Sequence, residues 1–202
     1  MSHLSNTRSS EVAAYFLCTR RLGFRTWLED DLDLALGLWG DADVTRLIGG
    51  PFSAKRVQRR LAQEIANQAA YGLQYWPVFL LDQDAHVGCC GLRPYPSEPR
   101  VYELGFHLRK AYWGQGLAAE AARAVIDYAF ERLDAAGLFA GHHPANASSR
   151  RVLIKVGFRY THDELYPPTG LKHPSYRLTA EEYLSNARLL FKEGDSKSHL
   201  KG

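Results

Sequence analysis

Along Tyr102–Leu108 the side chains alternate: Tyr102, Leu104, Phe106 and Leu108 are apolar, with Glu103, Gly105 and His107 between them. A period of two predicts a strand with one buried face. "AYWGQG" interrupts the alternation, and the alanine-rich run "LAAEAARAVIDYAF" then predicts a helix. Upstream, "FLCTRRLGFRTW" predicts a first strand with Leu22, Phe24 and Trp27 inward. "LEDDLDLALGLWGD" predicts an amphipathic helix whose leading acids complement its positive end, with Leu32, Ala35, Leu36 and Trp39 on one stripe. A short helix over Val44–Ile48 precedes the break at "GGP". Ser53 caps a longer helix with Val57, Leu61, Ile65 and Ala69 as its apolar stripe. Its Lys55, Arg56, Arg59 and Arg60 are read as a solvated side.

"LQYWPVFLLDQ" and "AHVGCCGLRPY" predict a hairpin through Asp82–Asp84, with Pro77 marking a bulge or an edge. "VYELGFHLR" completes a three-strand meander. "GLFAGHH" predicts a short strand, "NASSRRVLIKVGF" a capped helix closing at Gly157, and "FRYTHDELY" and "HPSYRLT" two last strands around "PPTGLK". The order is strand, helices, three strands, helix, strand, helix, two strands. It predicts one α/β domain with a mixed sheet over residues 15–185. Residues 1–14 are polar and expected to fray, and 186–202 form a polar tail.

Composition narrows the classes. A net charge of +3 on 202 residues suits an anionic ligand, but no dense basic tract or RNA-recognition signature points to nucleic acid. No apolar run approaches a membrane span, and the first residues lack a signal-peptide core, so the expected compartment is the cytoplasm. Cys18, Cys89 and Cys90 have no metal or redox spacing, and the adjacent pair reads as buried strand residues. His142 and His143, adjacent on a strand end, point to opposite faces. Even with His162 and His173 they make a poor chelate, and no metal is expected.

The chemistry concentrates at Gly114-Gln115-Gly116, between a strand and a helix. The first helical turn leaves backbone N–H groups without intrahelical partners, and two glycines remove the side chains that would fence them off. Such a turn is an anion cradle able to take a pyrophosphate, or simply a tight turn. A dinucleotide fingerprint would need a third glycine, and a P-loop would need Gly-Lys-Ser/Thr.

"TRRLGFR", "ELGFHLRKAYWGQGLAAEA" and "NASSRRVLIKVGF", in that order, resemble the GCN5-related N-acetyltransferase (GNAT) superfamily, and within it the RimJ/RimL-like branch. The resemblance spans about Thr19 to Leu178. It implies a single-domain α/β (α+β) fold with a mixed, mostly antiparallel sheet of about seven strands flanked by helices. A splayed strand pair would hold the pantetheine arm of acetyl-CoA. It further implies backbone contacts to the arm from Phe106, His107 and Leu108. The pyrophosphate loop would run from Trp113 to Ala118, binding through the N–H groups of Gly114, Gln115, Gly116, Leu117 and Ala118. The wider family usually has Gln or Arg where this chain has Trp113. Asn146 falls at a pantetheine-contacting position, and reads equally as a plain helix cap. Leu153 stands where the wider superfamily keeps a proton-donating tyrosine. The resemblance implies that Ser149, close to the coenzyme sulfur in the RimJ/RimL-like branch, is the donor to the departing thiolate, the other reading being a plain first-turn helix residue.

An attacking amine must lose a proton. Glu103, acting through a water, is the first candidate base and His107 the second, with a backbone N–H near Phe106 for the oxyanion. The implied reaction is acetyl transfer from acetyl-CoA to a primary amine, on a peptide N-terminus or a small molecule, by a monomer or homodimer. The other reading is a non-catalytic coenzyme A-binding protein of the same fold. Acceptor choice would fall to "LWGDADVTRLIGG", "AYGLQYW" and "YPPTGLKHPSYRL". There Tyr71, Tyr75, Trp76 and Tyr166 line a pocket or fill the core. Asp41 and Asp43 attract a cation or cap a helix.

Overall fold

In a computed structural model, which describes residues 15–186, eight strands form one sheet in the order β1-β2-β3-β4-β5-β6-β8-β7. The strands are β1 (Leu17–Cys18), β2 (Leu22–Phe24), β3 (Tyr75–Leu80), β4 (Ala85–Pro94), β5 (Val101–Leu108), β6 (Gly137–Gly141), β7 (Arg159–Tyr166) and β8 (Leu171–Thr179). Five α-helices connect them: α1 (Leu32–Trp39), α2 (Ala42–Thr45), α3 (Ala54–Tyr71), α4 (Leu117–Arg132) and α5 (Ala147–Lys155). A further helical segment occupies 180–186. The expectations for residues 1–14 and, beyond Asn186, for the tail lie outside the described residues.

The sheet has one strand more than expected because "FLCTRRLGF" is two strands. Thr19 Oγ1 accepts from the N–H groups of Arg21 (3.2 Å) and Leu22 (2.9 Å), turning the chain back so that β1 pairs with β2. Leu22, Phe24 and Trp27 are buried, as the alternation predicts. Pro77 does not mark an edge: β3 runs between β2 and β4, and the register shifts at Val78/Phe79, one residue on.

Two cores cover the two faces of the sheet. Leu104, Leu108, Cys90 and Leu92 pack with Leu117, Ala121, Val125 and Leu153 of α4 and α5. Tyr75 and Cys89 pack on the other face with Trp39, Val57 and Leu61 of α1 and α3. Burial pushes the Cys89 thiol up to about 12 and Cys90 higher than usual too, so both act as small apolar residues.

The stripe of α3 departs from its expected course. Ser53 caps it by accepting from Arg56 N–H, but its buried residues are Val57, Leu61, Glu64 and Asn67, and Ala69 is exposed. Successive steps of four residues drift about 40° each around a helix, so an i+4 series leaves the buried face within three steps. Arg60, three residues after Val57 and four before Glu64, therefore turns inward rather than standing on a solvated side.

Candidate active site

The sheet forks at Glu103. β5 and β6 run parallel and pair through Val101–Glu103 against Gly137–Phe139, and there the ladder stops. β6 continues antiparallel to β8 as far as Gly141, drawing it away. On its other edge β5 stays paired with β4 over its whole length. Strand parity decides which main-chain groups face the fork. Tyr95 N–H donates to Val101 C=O at one end and Arg109 N–H to Val87 C=O at the other, so the odd-numbered residues of β5 bond to β4. The groups of Phe106 and the N–H of Leu108 therefore face the gap. The expected backbone contact from His107 is corrected by the same parity, because its main chain pairs with Cys89.

The loop after β5 carries the second feature. Gly114 and Gly116 both have φ of 76°, a left-handed conformation that glycine adopts without strain. Gly116 is the N-cap of α4, with no capping side chain. Among the described residues, no N–H from Gly114 to Ala119 finds an acceptor. A Cβ at Gly114 would meet nothing within 4 Å, and one at Gly116 only Arg21 Nη2 at 3.8 Å. The glycines are thus required by the backbone turn itself, and the turn leaves a row of donors open at a helix N-terminus.

Side chains fix that loop at both ends. Trp113 Nε1 donates to Leu108 C=O at 2.7 Å, tying the loop to the end of β5. Arg21 Nη1 donates to Gln115 C=O at 3.2 Å, and Arg21 Nε and Thr19 Oγ1 donate to Glu120 in the first turn of α4 at 2.7 and 2.6 Å. Partial burial opposes ionisation of Glu120, but those hydrogen bonds hold its carboxyl below the ordinary range. "TRR" is therefore a clamp on the glycine loop.

A cleft of about 890 Å³ joins fork and loop, lined by Glu103, Phe106, His107, Gly114, Gly116, Asn146 and Ser149 among others. Asn146 caps α5, its Oδ1 accepting from Ser149 N–H at 3.0 Å. Leu153 is buried beneath the cleft.

On the α1–α3 side, Arg93 stands opposite Glu103 in register. Its guanidinium turns instead to Glu64, which is fully buried. Glu103 has no ion pair within 4 Å among the described residues. Burial, with Arg60 and Arg93 adding to it, holds His107 well below the usual imidazole range, so the ring is neutral at physiological pH. Trp39 Nε1–H can only donate, and it points at His107 Nδ1 from 3.4 Å. The lone pair is thus at Nδ1 and the proton at Nε2, which makes His107 a donor from Nε2.

Sequence reasoning had no place for Arg60 and Glu64 in the site, because both fall beside the expected stripe of Val57, Leu61, Ile65 and Ala69. Of the expected acceptor residues, Tyr75, Asp43 and Tyr166 line the cleft, whereas Trp76 is core and Tyr71 is exposed. Asp43 pairs with Lys110 at 2.7 Å, and Asp41 caps α2 by accepting from Asp43 N–H. His142 and His173 bond to His143 C=O and Thr169, and among the described residues no three His, Cys, Asp or Glu side chains come together as metal ligands. No described helix is long and apolar enough to cross a membrane.

Comparison with known proteins supplies the family to which this fork, glycine loop and cleft belong. The acetyltransferase (GNAT) domain family matches residues 21–159, so the chain belongs to the GNAT family of N-acetyltransferases. A Bacillus licheniformis protein named as the uncharacterized N-acetyltransferase p20 is 29% identical over 145 residues, 71% of this chain and 82% of the relative. A GNAT-family acetyltransferase structure from Bacillus anthracis superposes with a TM-score of 0.72 at 23% identity, over 82% of this chain and 98% of that one. The ribosomal L7/L12 α-N-protein acetyltransferase RimL, solved with coenzyme A, has the same fold with a TM-score of 0.70 at 16% identity, covering 82% of this chain and 98% of its own.

Proposed function

We propose that this protein transfers the acetyl group of acetyl-CoA to a primary amine by direct attack while both substrates are bound. The observation that carries the reading is the pairing of an open strand fork with the donor row from Gly114 to Ala119. These residues fit the coenzyme: the fork offers main-chain groups to an amide-bearing arm, and the helix N-terminus offers N–H groups to a pyrophosphate. When bound, acetyl-CoA supplies an activated acyl group as a thioester.

The residues then divide the work. Phe106 N–H faces the fork and donates to the carbonyl oxygen as it gathers charge. Glu103, at the apex of the fork and without an ion pair among the described residues, removes the proton from the amine through a water. His107, neutral and carrying its proton on Nε2, orients the acceptor as a donor and leaves the base role to Glu103. Ser149, in the first turn of α5, gives a proton to the departing thiolate, taking the role that Leu153 cannot. Trp113, Ser149 and Leu153 together favour the RimJ/RimL-like branch. The cytoplasm, where acetyl-CoA is plentiful, remains the proposed setting.

Calorimetry with acetyl-CoA, followed by thiol release on addition of amines, tests this. Binding at micromolar concentrations and amine-dependent thiol release are expected. Binding without release for any amine would leave only the non-catalytic reading.

A further inference from the structure

Arg60 and Arg93 present an arrangement that acetyl transfer alone does not require. Both line the cleft beside Glu103 and His107. They share one counter-charge, Glu64. Glu64 Oε1 meets Arg93 Nη2 and lies 3.5 Å from Arg60 Nη2, while Oε2 accepts from Tyr75 N–H at 2.9 Å. Each guanidinium has five N–H donors. Arg93 uses one on Glu64, and Arg60 makes no hydrogen bond among the described residues. The Nε atoms of both are buried without a partner.

The two groups are nevertheless held in place. Arg60 Cζ lies 4.6 Å from the Trp39 ring centroid, and Arg93 Cζ lies 4.2 Å from that of Tyr75. Aromatic faces fix the guanidinium planes without using their in-plane donors. Two guanidiniums against one bonded carboxylate, at the edge of a cleft, leave donors unused, and the second carboxylate nearby, Glu103, stands opposite Arg93 without pairing to it. Planar forks of this kind match a carboxylate.

We propose that the acceptor amine carries a carboxylate a few bonds from its nitrogen, and that Arg60 and Arg93 bind that carboxylate while the amine faces Glu103. The spacing follows from the register. Arg93 and Glu103 are directly opposed on neighbouring strands, where side chains start about 5 Å apart. An amine held by one and an oxyanion held by the other therefore belong to one small unit. A free amino acid has this chemistry, and so does a peptide whose first residue is acidic. Polyamines and simple alkylamines lack it. This inference rests on the transferase reading of the same cleft and names its substrate class.

Matched acceptors test it. Thiol release is measured with amino acids and their carboxamides, with peptides starting in Asp or Asn, and with a polyamine. Within at least one matched pair the carboxylate member is expected to win by about 10- to 100-fold in kcat/KM, the worth of a charge-assisted hydrogen-bonded contact. Whether the free amino acids or the Asp peptides respond tells the two sources apart. Arg60→Gln is expected to raise KM for the carboxylate acceptor more than it lowers kcat, and to shrink its advantage over the amide. Arg60→Lys should recover part of that advantage. Arg60 makes no hydrogen bond among the described residues, so a melting curve suffices to show that the variant folds. Equal use of acid and amide, preference for the polyamine, or an Arg60→Gln loss equal for both members of a pair would overturn the proposal.

If no amine is acetylated, the transferase reading fails separately, and binding alone judges the pocket. Calorimetry in the presence of coenzyme A then compares an N-acetyl amino acid with its amide, and of the N-acetyl Asp peptide with the Asn peptide. Tighter binding of either acid upholds the carboxylate site; equal binding in both pairs removes it.

Discussion

The two sides of the cleft are built by different means. On the side proposed for the coenzyme the groups on offer are backbone N–H and C=O, presented by a strand that loses its neighbour and a helix that begins on a left-handed glycine. On the side proposed for the acceptor they are charged side chains from three separated segments: Arg60 and Glu64 on α3, Arg93 on β4 and Glu103 on β5. A backbone site needs a local conformation, and local conformation is written in neighbouring residues. A side-chain site needs a meeting of distant positions, and sequence spacing does not encode it.

The sharpest way to break this contrast is at Gly116. Its φ of 76° strains any β-branched residue, although a Cβ there would touch only the end of Arg21. Gly116→Val is expected to re-aim the first N–H groups of α4 and abolish the thermal stabilisation that acetyl-CoA gives the wild type, while the protein still folds. Differential scanning fluorimetry with and without coenzyme reads this directly. An undiminished shift would mean that the pyrophosphate does not sit on this backbone.

Ser149→Ala comes next in size. Turnover should fall on the order of 100-fold, with coenzyme affinity nearly unchanged, because the serine is assigned to the leaving thiolate. Its N–H remains available to cap with Asn146, so α5 should persist. Wild-type turnover with chemistry rate-limiting would move the proton donor elsewhere, with Tyr112 and Tyr166, which also line the cleft, as the residues to test.

How much of this was legible follows the same division. The β5 alternation and the glycine turn were readable because each uses a period or a residue type set by its own neighbours. The split of the first strand was not, because it depends on one hydroxyl, Thr19 Oγ1, capping a turn within an otherwise strand-like run. The role of "TRR" was hidden for another reason: its partner Glu120 lies about a hundred positions away, on α4. Parity did place Glu103 and His107 on one face. It could not show that Arg93, opposite Glu103, would be captured by Glu64, nor that Trp39 would fix the proton of His107 at Nε2.

Glu103→Gln sharpens the acceptor side. The volume is nearly conserved and no ion pair among the described residues is broken, so stability should change little. The rising limb of the wild-type pH–rate profile should flatten, with a loss of about 10-fold at neutral pH, below the usual range for a base because amines also arrive already deprotonated. A higher KM for the amine with unchanged kcat would instead make Glu103 a binding group. An unshifted limb accompanied by lost stability would make it a structural one.

The smallest effect concerns one of the places where side chains support the backbone site. Glu120 receives hydrogen bonds from Thr19 and Arg21 and is held below its ordinary value of 4.5. A carboxyl depressed by folding stabilises the native state above its unfolded pKa, and that contribution is lost as the pH falls through the lower folded value. Glu120→Gln should therefore cost about 1 kcal/mol near neutral pH, a modest figure because Arg21 is partly exposed and the pair is screened. Urea unfolding of both proteins between about pH 6 and about pH 3 should show the gap closing as the wild-type carboxyl takes up its proton. A gap that ignores pH would mean that the variant acts through packing. If stability falls but acetyl-CoA binds as before, the glycine turn holds its shape without the clamp; if affinity falls too, part of the backbone site depends on a contact from the turn between β1 and β2 that no local motif announces.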